Sequence, residues 1–390
     1  MHTVHLTYAD AVTTYFSWRA AGSGDVLTAR LIPAQMDALR DSFPRTLPDI
    51  HPGEGAADAL RRTFHDGAFR SPQDTWTYFS QLGAMLIPQQ LIALLRGAGR
   101  SRLIIRPSPS LAQVPWAVLP THPDGRLLGE LADVVLGVPD SVRALAGAPH
   151  DGDADLMVID PKIPGQPPTG PLGSVLGRPV DTDPLVPLVR PTTLPAADTY
   201  SGLARAPMSR QEFLAASARA RSLLFVGHVS AAGEETASAE SSTLHLSEPV
   251  TAGDLLRAGW RAPRRVGLIG CASGSDLRYP EPFGLATAAV ACGAQTVVAS
   301  LWTLPTEATL PAGMHPLREL VLATDRALQS ADPARTLLDW QLAKARAWFS
   351  TGAPADNPAW WAAPALTERA PARAVRVWNA RPHHRRNHDH

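Results

Sequence analysis

Ser222-Leu-Leu-Phe-Val-Gly-His228 and Arg265-Val-Gly-Leu-Ile-Gly-Cys271-Ala-Ser-Gly274 are the stretches that decide how this chain folds. Each is an apolar run of strand length that stops at a glycine and then presents one reactive side chain. A strand buried on both faces of a parallel sheet reads as a continuous apolar run, without the alternation of a half-exposed strand. In open α/β sheets, ligands bind outside the carboxyl ends of such strands. The two runs therefore predict neighbouring parallel strands with an imidazole and a thiol at their ends. The spacing of 43 positions from His228 to Cys271 leaves room for one loop, one helix and the second strand, which is a crossover unit.

The same pattern extends outward. Leu156-Met-Val-Ile-Asp160 and Gln295-Thr-Val-Val-Ala-Ser-Leu-Trp302 read as further strands around that pair, and Phe283 to Cys292 as a helix of small residues. Met208 to Ala220, a segment near 251–258, and residues 333–350 read as helices. The last carries Leu337, Leu338, Leu342, Ala345 and Trp348 near one face. Upstream, Thr13 to Arg19 and Val26 to Ile32 predict a strand pair around Gly22-Ser-Gly24, followed by a helix opened by Pro33. Residues 75–97 predict a long helix kinked or split at Pro88. Leu103 to Pro107 and Val134 to Val138 predict two more buried strands. Strands alternating with helices imply an α/β fold around a mostly parallel sheet. Ten prolines between 161 and 195 exclude a long regular element there. The expected organisation is an N-terminal α/β subdomain over 1–150, a C-terminal subdomain over 151–366 containing the Pro-rich loop 161–200, and a basic, His-rich tail over 367–390.

Composition limits the function. The 390 residues carry 36 Lys and Arg against 36 Asp and Glu, a formal charge of zero. No basic stripe points to nucleic acid. No apolar run approaches the ~20 residues of a membrane span, and the first residues lack the basic and apolar regions of a secretory signal. Two cysteines make no disulfide framework, so a reducing cytoplasm is the expected compartment. Neither a nucleotide-binding glycine motif nor the G-x-S-x-G of serine hydrolases is present.

A thiol of ordinary pKa ~8.5 is mostly protonated at neutral pH, and a neighbouring imidazole favours its thiolate. His228 as base and Cys271 as nucleophile form a coherent pair. The backbone N–H groups of Val229 and Cys271 are candidates for an oxyanion hole, with Gly270 allowing close approach. Taken singly, a strand-end cysteine is more often a small buried hydrophobe. Cys292, within Ala288-Ala-Val-Ala-Cys292-Gly, is read that way.

Several blocks together resemble the CHAT family of caspase-like proteins: Leu223 to His228, Gly267 to Gly274, Phe283-Gly-Leu-Ala286 and Gly293 to Trp302. Leu103 to Pro107 with Val114-Pro-Trp-Ala-Val-Leu-Pro120 matches an upstream block, and Asn357-Pro-Ala-Trp-Trp-Ala-Ala363 a closing one. The Gly270-Cys271-Ala-Ser-Gly274 run is also similar to separase. The resemblance implies a caspase-like three-layer sandwich in which a degenerate N-terminal protease-like half supports an active C-terminal half. It implies a cysteine endopeptidase with His228 as base and Cys271 as nucleophile, cutting a partner protein in a bacterial defence or cell-death pathway. No cofactor or metal is implied. Relatives that cut after Arg or Lys need a carboxylate near the cut residue; Glu307 and Asp276 are the candidates, beside Trp302 in the tryptophan block. Val229 stands where the family usually has a smaller residue, and Pro305-Thr306 where acidic residues are typical. No TPR, WD40 or other sensor repeat is read in the sequence, so any trigger is expected to be a separate activator or sensor protein or a small appendage. Arg178 and Arg190 make loop 161–200 a candidate activation segment, against the plainer reading as a disordered linker. The alternative to a protease is a CHAT-like interaction module that has lost catalysis.

Overall fold

The computed structural model describes residues 2–369 except 24, 146, 231–238, 272, 275–283, 308, 309 and 312. The strands in chain order are β1 (His2–Asp10), β2 (Thr14–Ala20), β3 (Leu27–Arg30), β4 (Ser101–Arg106), β5 (Ala132–Gly137), β6 (Ala154–Ile159) and β7 (Thr193–Leu194). There follow β8 (Ala220–Val226), β9 (Val229–Ser230), β10 (Thr243–His245), β11 (Pro249–Thr251), β12 (Arg265–Ile269), β13 (Thr296–Ser300) and β14 (Pro364–Glu368). Eleven of them form one sheet in the order β3-β2-β1-β4-β5-β14-β13-β12-β8-β6-β7, and β11-β10-β9 form a small second sheet.

The sheet is parallel from β1 through β4 to β5 and from β13 through β12, β8 and β6 to β7. β14 joins the two halves, antiparallel to β13 and parallel to β5. One sheet therefore runs through both expected subdomains. The strand reaches Glu368, so residues 367 and 368, expected in the tail, belong to the sheet. Arg102 on β4 reaches across β5 to both oxygens of Glu368, at 3.0 and 2.8 Å. Tail residues 370–390 lie outside the described residues.

Alternation along the central strands explains the layers. Successive side chains point to opposite faces, so Leu224 and Val226 of β8 join one core while Leu223 and Phe225 join the other. Met157 and Ile159 of β6 and Val298 of β13 share the first core. Leu156, Val158, Val297 and Ala299 share the second. The first core is closed by the helices Pro316–Gln329 and Pro333–Thr351, the second by Arg210–Ser217, Ala252–Arg257 and Leu285–Ala291. Each fully buried Leu, Val or Phe contributes roughly 1.5–3 kcal/mol. Gly267 on β12 has a packing reason. A β-carbon there would lie 2.9 Å from Thr324 and 3.1 Å from Leu328, so the glycine lets the Pro316–Gln329 helix sit close to the sheet.

Most of the expected elements are present. The 75–97 segment forms two helices, Pro72–Leu86 and Gln89–Gly97, bent by 93° around Pro88. Two of the longer elements escaped the sequence reading, as did β14 and the small second sheet. β1 is one, although Val4, Leu6 and Tyr8 alternate with less buried residues in the manner of a half-covered strand. The other is the helix Pro316–Gln329, whose buried face includes Arg318 and Asp325. Its charged residues mask the apolar stripe. Cys292, read as core, is half-buried at a helix end, where burial pushes its thiol up to about 11.

Loop 161–200 has no long regular element, as its prolines require, but it is packed rather than loose. Leu185 and Leu188 are fully buried in the first core. Arg190 grips Asp325 with two 2.8 Å hydrogen bonds. Both arginines considered as processing sites, Arg178 and Arg190, precede prolines.

Asp155 on β6 is the charged anchor of the central sheet. Its carboxylate is fully buried and accepts from Arg221, Ser222, Thr192 and Gln329. Burial alone would raise its pKa. The Arg221 hydrogen bond and those of Ser222, Gln329 and Thr192 together outweigh it and hold it at about 2. The folded value lies below the unfolded one, ~3.9, so this contribution is complete above pH ~4 and lost as pH falls toward 2. In acid titrations followed by circular dichroism, Asp155→Asn is expected to be less stable at neutral pH. It should also lose less additional stability than the parent between pH 4 and 2.

Candidate active site

The site grows from strand register. β8 and β12 pair in parallel with Val226 opposite Ile269. His228 and Cys271 each lie two residues further on, so they leave the sheet at the same level from adjacent strands, whose backbones stand ~4.8 Å apart. The pairing continues past the strands, where the Gly227 N–H donates to Ile269 O at 3.1 Å. No hydrogen bond joins the two side chains in this state, among the described residues.

The imidazole is oriented from its far side. His228 Nε2 lies 2.9 Å from the carbonyl oxygen of Gly173, in the Pro-rich loop. A carbonyl can only accept, so Nε2 carries the proton, and the neutral ring keeps its lone pair on Nδ1. That is the state a general base needs, with a third group fixing its orientation. Gly173 suits the position, because a β-carbon there would lie 2.2 Å from Pro168 O. A second imidazole is close by. His245 Nε2 bonds Ser230 Oγ at 2.7 Å, and burial, then the nearby His228, lower its pKa. Both influences favour the neutral form of His245.

Val229 is buried on β9, opposite Leu244 of β10. The His245 N–H donates to His228 O at 3.1 Å, which makes Val229–Leu244 a pair whose own amide groups point away from each other. The Val229 N–H is thus not consumed by this ladder. Gly270 is required beside it: a β-carbon would lie 2.5 Å from Val229 Cγ2 and 2.7 Å from Gly227 O. The bulkier Val229 and the glycine fit each other.

Cys271 keeps partial exposure, yet protein surrounds its sulfur closely. Burial is the largest influence and pushes the thiol up. The backbone N–H groups of Leu304 and Cys271 act the other way, and the carboxylate of Asp49 raises it further. The following turn is pinned to β13: Ser300 N donates to Ser273 Oγ at 2.9 Å and Gly274 N to Ser300 O at 2.9 Å.

Asp49, from the N-terminal half, is a site residue that sequence reading missed, as are Gly173, His245 and Leu304. Its carboxylate accepts from Thr303 N at 2.7 Å and from Gln113 Nε2 at 2.8 Å. Thr303 adjoins Leu304, whose amide faces the thiol, so carboxylate and sulfur are held by consecutive residues of one segment. Only tertiary contact links position 49 to this segment. Its local sequence, Pro48-Asp49-Ile50, carries no signal.

The substrate-binding candidates are dispersed. Trp302 is fully buried, donates from its indole to Ala359 O at 3.0 Å and packs near Phe69, so it is a core residue here. The Glu307 carboxylate accepts from Arg318 N at 2.9 Å, from the Arg318 guanidinium and from His315 at 3.2 Å. Arg318 also binds Asp183 and Leu176 O. Glu307 is thereby engaged in a buried ion network tying the Pro-rich loop to segment 303–307. Asp276 lies outside the described residues.

Removing the negative charge of Asp49 should make the thiol more acidic. Asp49→Asn is expected to move the pH profile of iodoacetamide alkylation at Cys271 to lower pH, with burial still keeping it above that of a free cysteine. An unmoved profile would show that the carboxylate does not act on the thiol. Gly270→Ala should cost ~1–3 kcal/mol in thermal or denaturant unfolding, through overpacking against Val229.

No curated protein matches this chain. Two solved structures of the Saccharomyces cerevisiae separase–securin complex align with it at 10% identity, with TM-scores of 0.47 and 0.46. The alignments cover 94% of this chain but only 30% of theirs. The model of the CHAT domain matches residues 77–368, three quarters of the sequence, and includes β4 through β14 with both His228 and Cys271. The chain belongs to the CHAT domain family of caspase-like proteins.

Proposed function

We propose that this chain is a cysteine endopeptidase in which His228 and Cys271 act as a dyad on a partner protein. The observation that carries the reading is the Gly173–His228 hydrogen bond at a strand end in register with Cys271. It leaves the imidazole lone pair on the nitrogen not used by the loop, which is what proton abstraction from a neighbouring thiol requires.

The chemistry follows from these groups. His228 Nδ1 takes the Cys271 proton as the sulfur attacks the scissile carbonyl carbon. The Val229 and Cys271 N–H groups receive the developing oxyanion. The imidazolium then gives its proton to the departing amine, leaving a thioester. Water, deprotonated by the same imidazole, hydrolyses the thioester and restores the thiol. The side-chain approach of His228 to Cys271 is completed on substrate binding, since catalytic hydrogen bonds are often long before the substrate is in place. The proposed steps use no cofactor. A reducing cytoplasm suits a free thiol, and the family resemblance supports a bacterial defence or cell-death role with a separate protein as trigger.

A second reading, a silent interaction module, draws support from the raised thiol pKa and from the lack of a hydrogen bond between the two side chains among the described residues. The readings separate with an electrophilic peptide probe and a protein substrate. A protease should lose labelling and cleavage in Cys271→Ala, and His228→Ala should lower turnover by ~10³-fold or more while both variants stay folded. Equal cleavage by Cys271→Ala would sink the protease assignment.

A further inference from the structure

Two non-glycine residues have a positive φ among the described residues: Asp160, at +48°, and Arg205, at +62°. Such backbone conformations are costly and persist only where the surroundings over-determine them. These two residues bond each other. Arg205 Nη1 donates to Asp160 Oδ1 at 3.1 Å, and Arg205 N donates to Ile159 O at 3.0 Å. Asp160 is almost completely buried at the end of β6.

The Asp160 carboxylate faces the Pro-rich loop. It accepts from Ser174 Oγ, from Val175 N at 3.1 Å and from Leu176 N at 3.4 Å. Three successive residues are thus gripped immediately after Gly173, whose carbonyl orients His228. Upstream, Ser174 N bonds Pro168 O at 2.8 Å and Gly173 N bonds Gly170 O at 2.8 Å, closing a tight turn. Asp160 is itself fixed to the strand of the base, because its N–H donates to Val226 O at 2.6 Å, two residues before His228.

We propose that the Asp160–Arg205 pair is a positioning device for the active site, placing the Gly173 carbonyl so that His228 is held with its proton on Nε2. This rests on the dyad reading above. Arg205 fixes the carboxylate, the carboxylate fixes residues 174–176, and the turn delivers the carbonyl to the imidazole. Both loop and base are referenced to β8, so their separation does not depend on the rest of the Pro-rich segment. Neither Asp160 nor Arg205 touches the reacting atoms.

The test uses the full chain with Asp160→Asn, which keeps shape but removes the charge and half of the acceptor set. Ser174→Ala removes one donor and leaves the backbone intact. Arg205→Gly removes the ion pair at a position whose φ glycine adopts freely. ¹⁵N spectra of histidine-labelled protein, assigned with His228→Gln, report the tautomer. The parent should show a protonated Nε2. Asp160→Asn and Arg205→Gly should show averaging between the two nitrogens, and kcat on a cleaved substrate should fall roughly 10- to 100-fold with KM nearly unchanged. Ser174→Ala should fall between. If Asp160→Asn does not fold, Arg205→Gly and Ser174→Ala decide. Folded variants with the parent tautomer and the parent pH profile for Cys271 alkylation would overturn the proposal. The spectra need no substrate: loss of the tautomer with no cleavage by the parent would retain the positioning role and refute the protease.

Discussion

The parallel pairing of β8 with β12 is the constraint on which the rest depends. Register in a sheet is all-or-none, since a slip of one residue sends every side chain to the opposite face. Here both faces are buried, so a slip would place the wrong side chains in both cores at once. The apolar side chains of β8 and β12 therefore fix more than the fold. They fix the level at which His228 and Cys271 emerge, and the hydrophobic energy of two cores holds that level. The site inherits its precision from packing that has no chemical role.

What surrounds the pair is built from distant sequence. The Gly173 carbonyl comes from the Pro-rich loop, the Asp49 carboxylate from the N-terminal half, and the Leu304 amide from the segment after β13. Arg318 ties the loop to that segment through Asp183 and Glu307. Loop and segment flank the thiol and imidazole, so a buried arginine links the two walls. Glu307 shows why residue type and proximity in sequence are insufficient for assigning a binding role. Its carboxylate is available in the sequence and occupied in the fold.

The groups around the thiol act in opposite directions. Burial and Asp49 favour the neutral thiol, while two amides favour the thiolate. The imidazole meets the loop through Nε2, which leaves Nδ1 unused by that contact.

Strands β6, β8, β12 and β13 and most of the helices around them were legible because each rests on local pattern: apolar runs and glycine stops, with one reactive residue just after β8 and one after β12. β1 was equally regular but went unread, and the Pro316–Gln329 helix was hidden by charged residues whose partners lie elsewhere in the chain. The continuity of the sheet through β14 was not legible. Five residues that pair with β13 on one side and β5 on the other have no local signature of that role. The same holds for Gly173, Asp49 and the Asp160–Arg205 pair. Local pattern was enough to say which residues could do chemistry and which strands carry them. Only the tertiary structure decided what orients the imidazole, what acts on the thiol and which acidic residue is already engaged, because those are long-range contacts between loops, set by packing and invisible to periodicity.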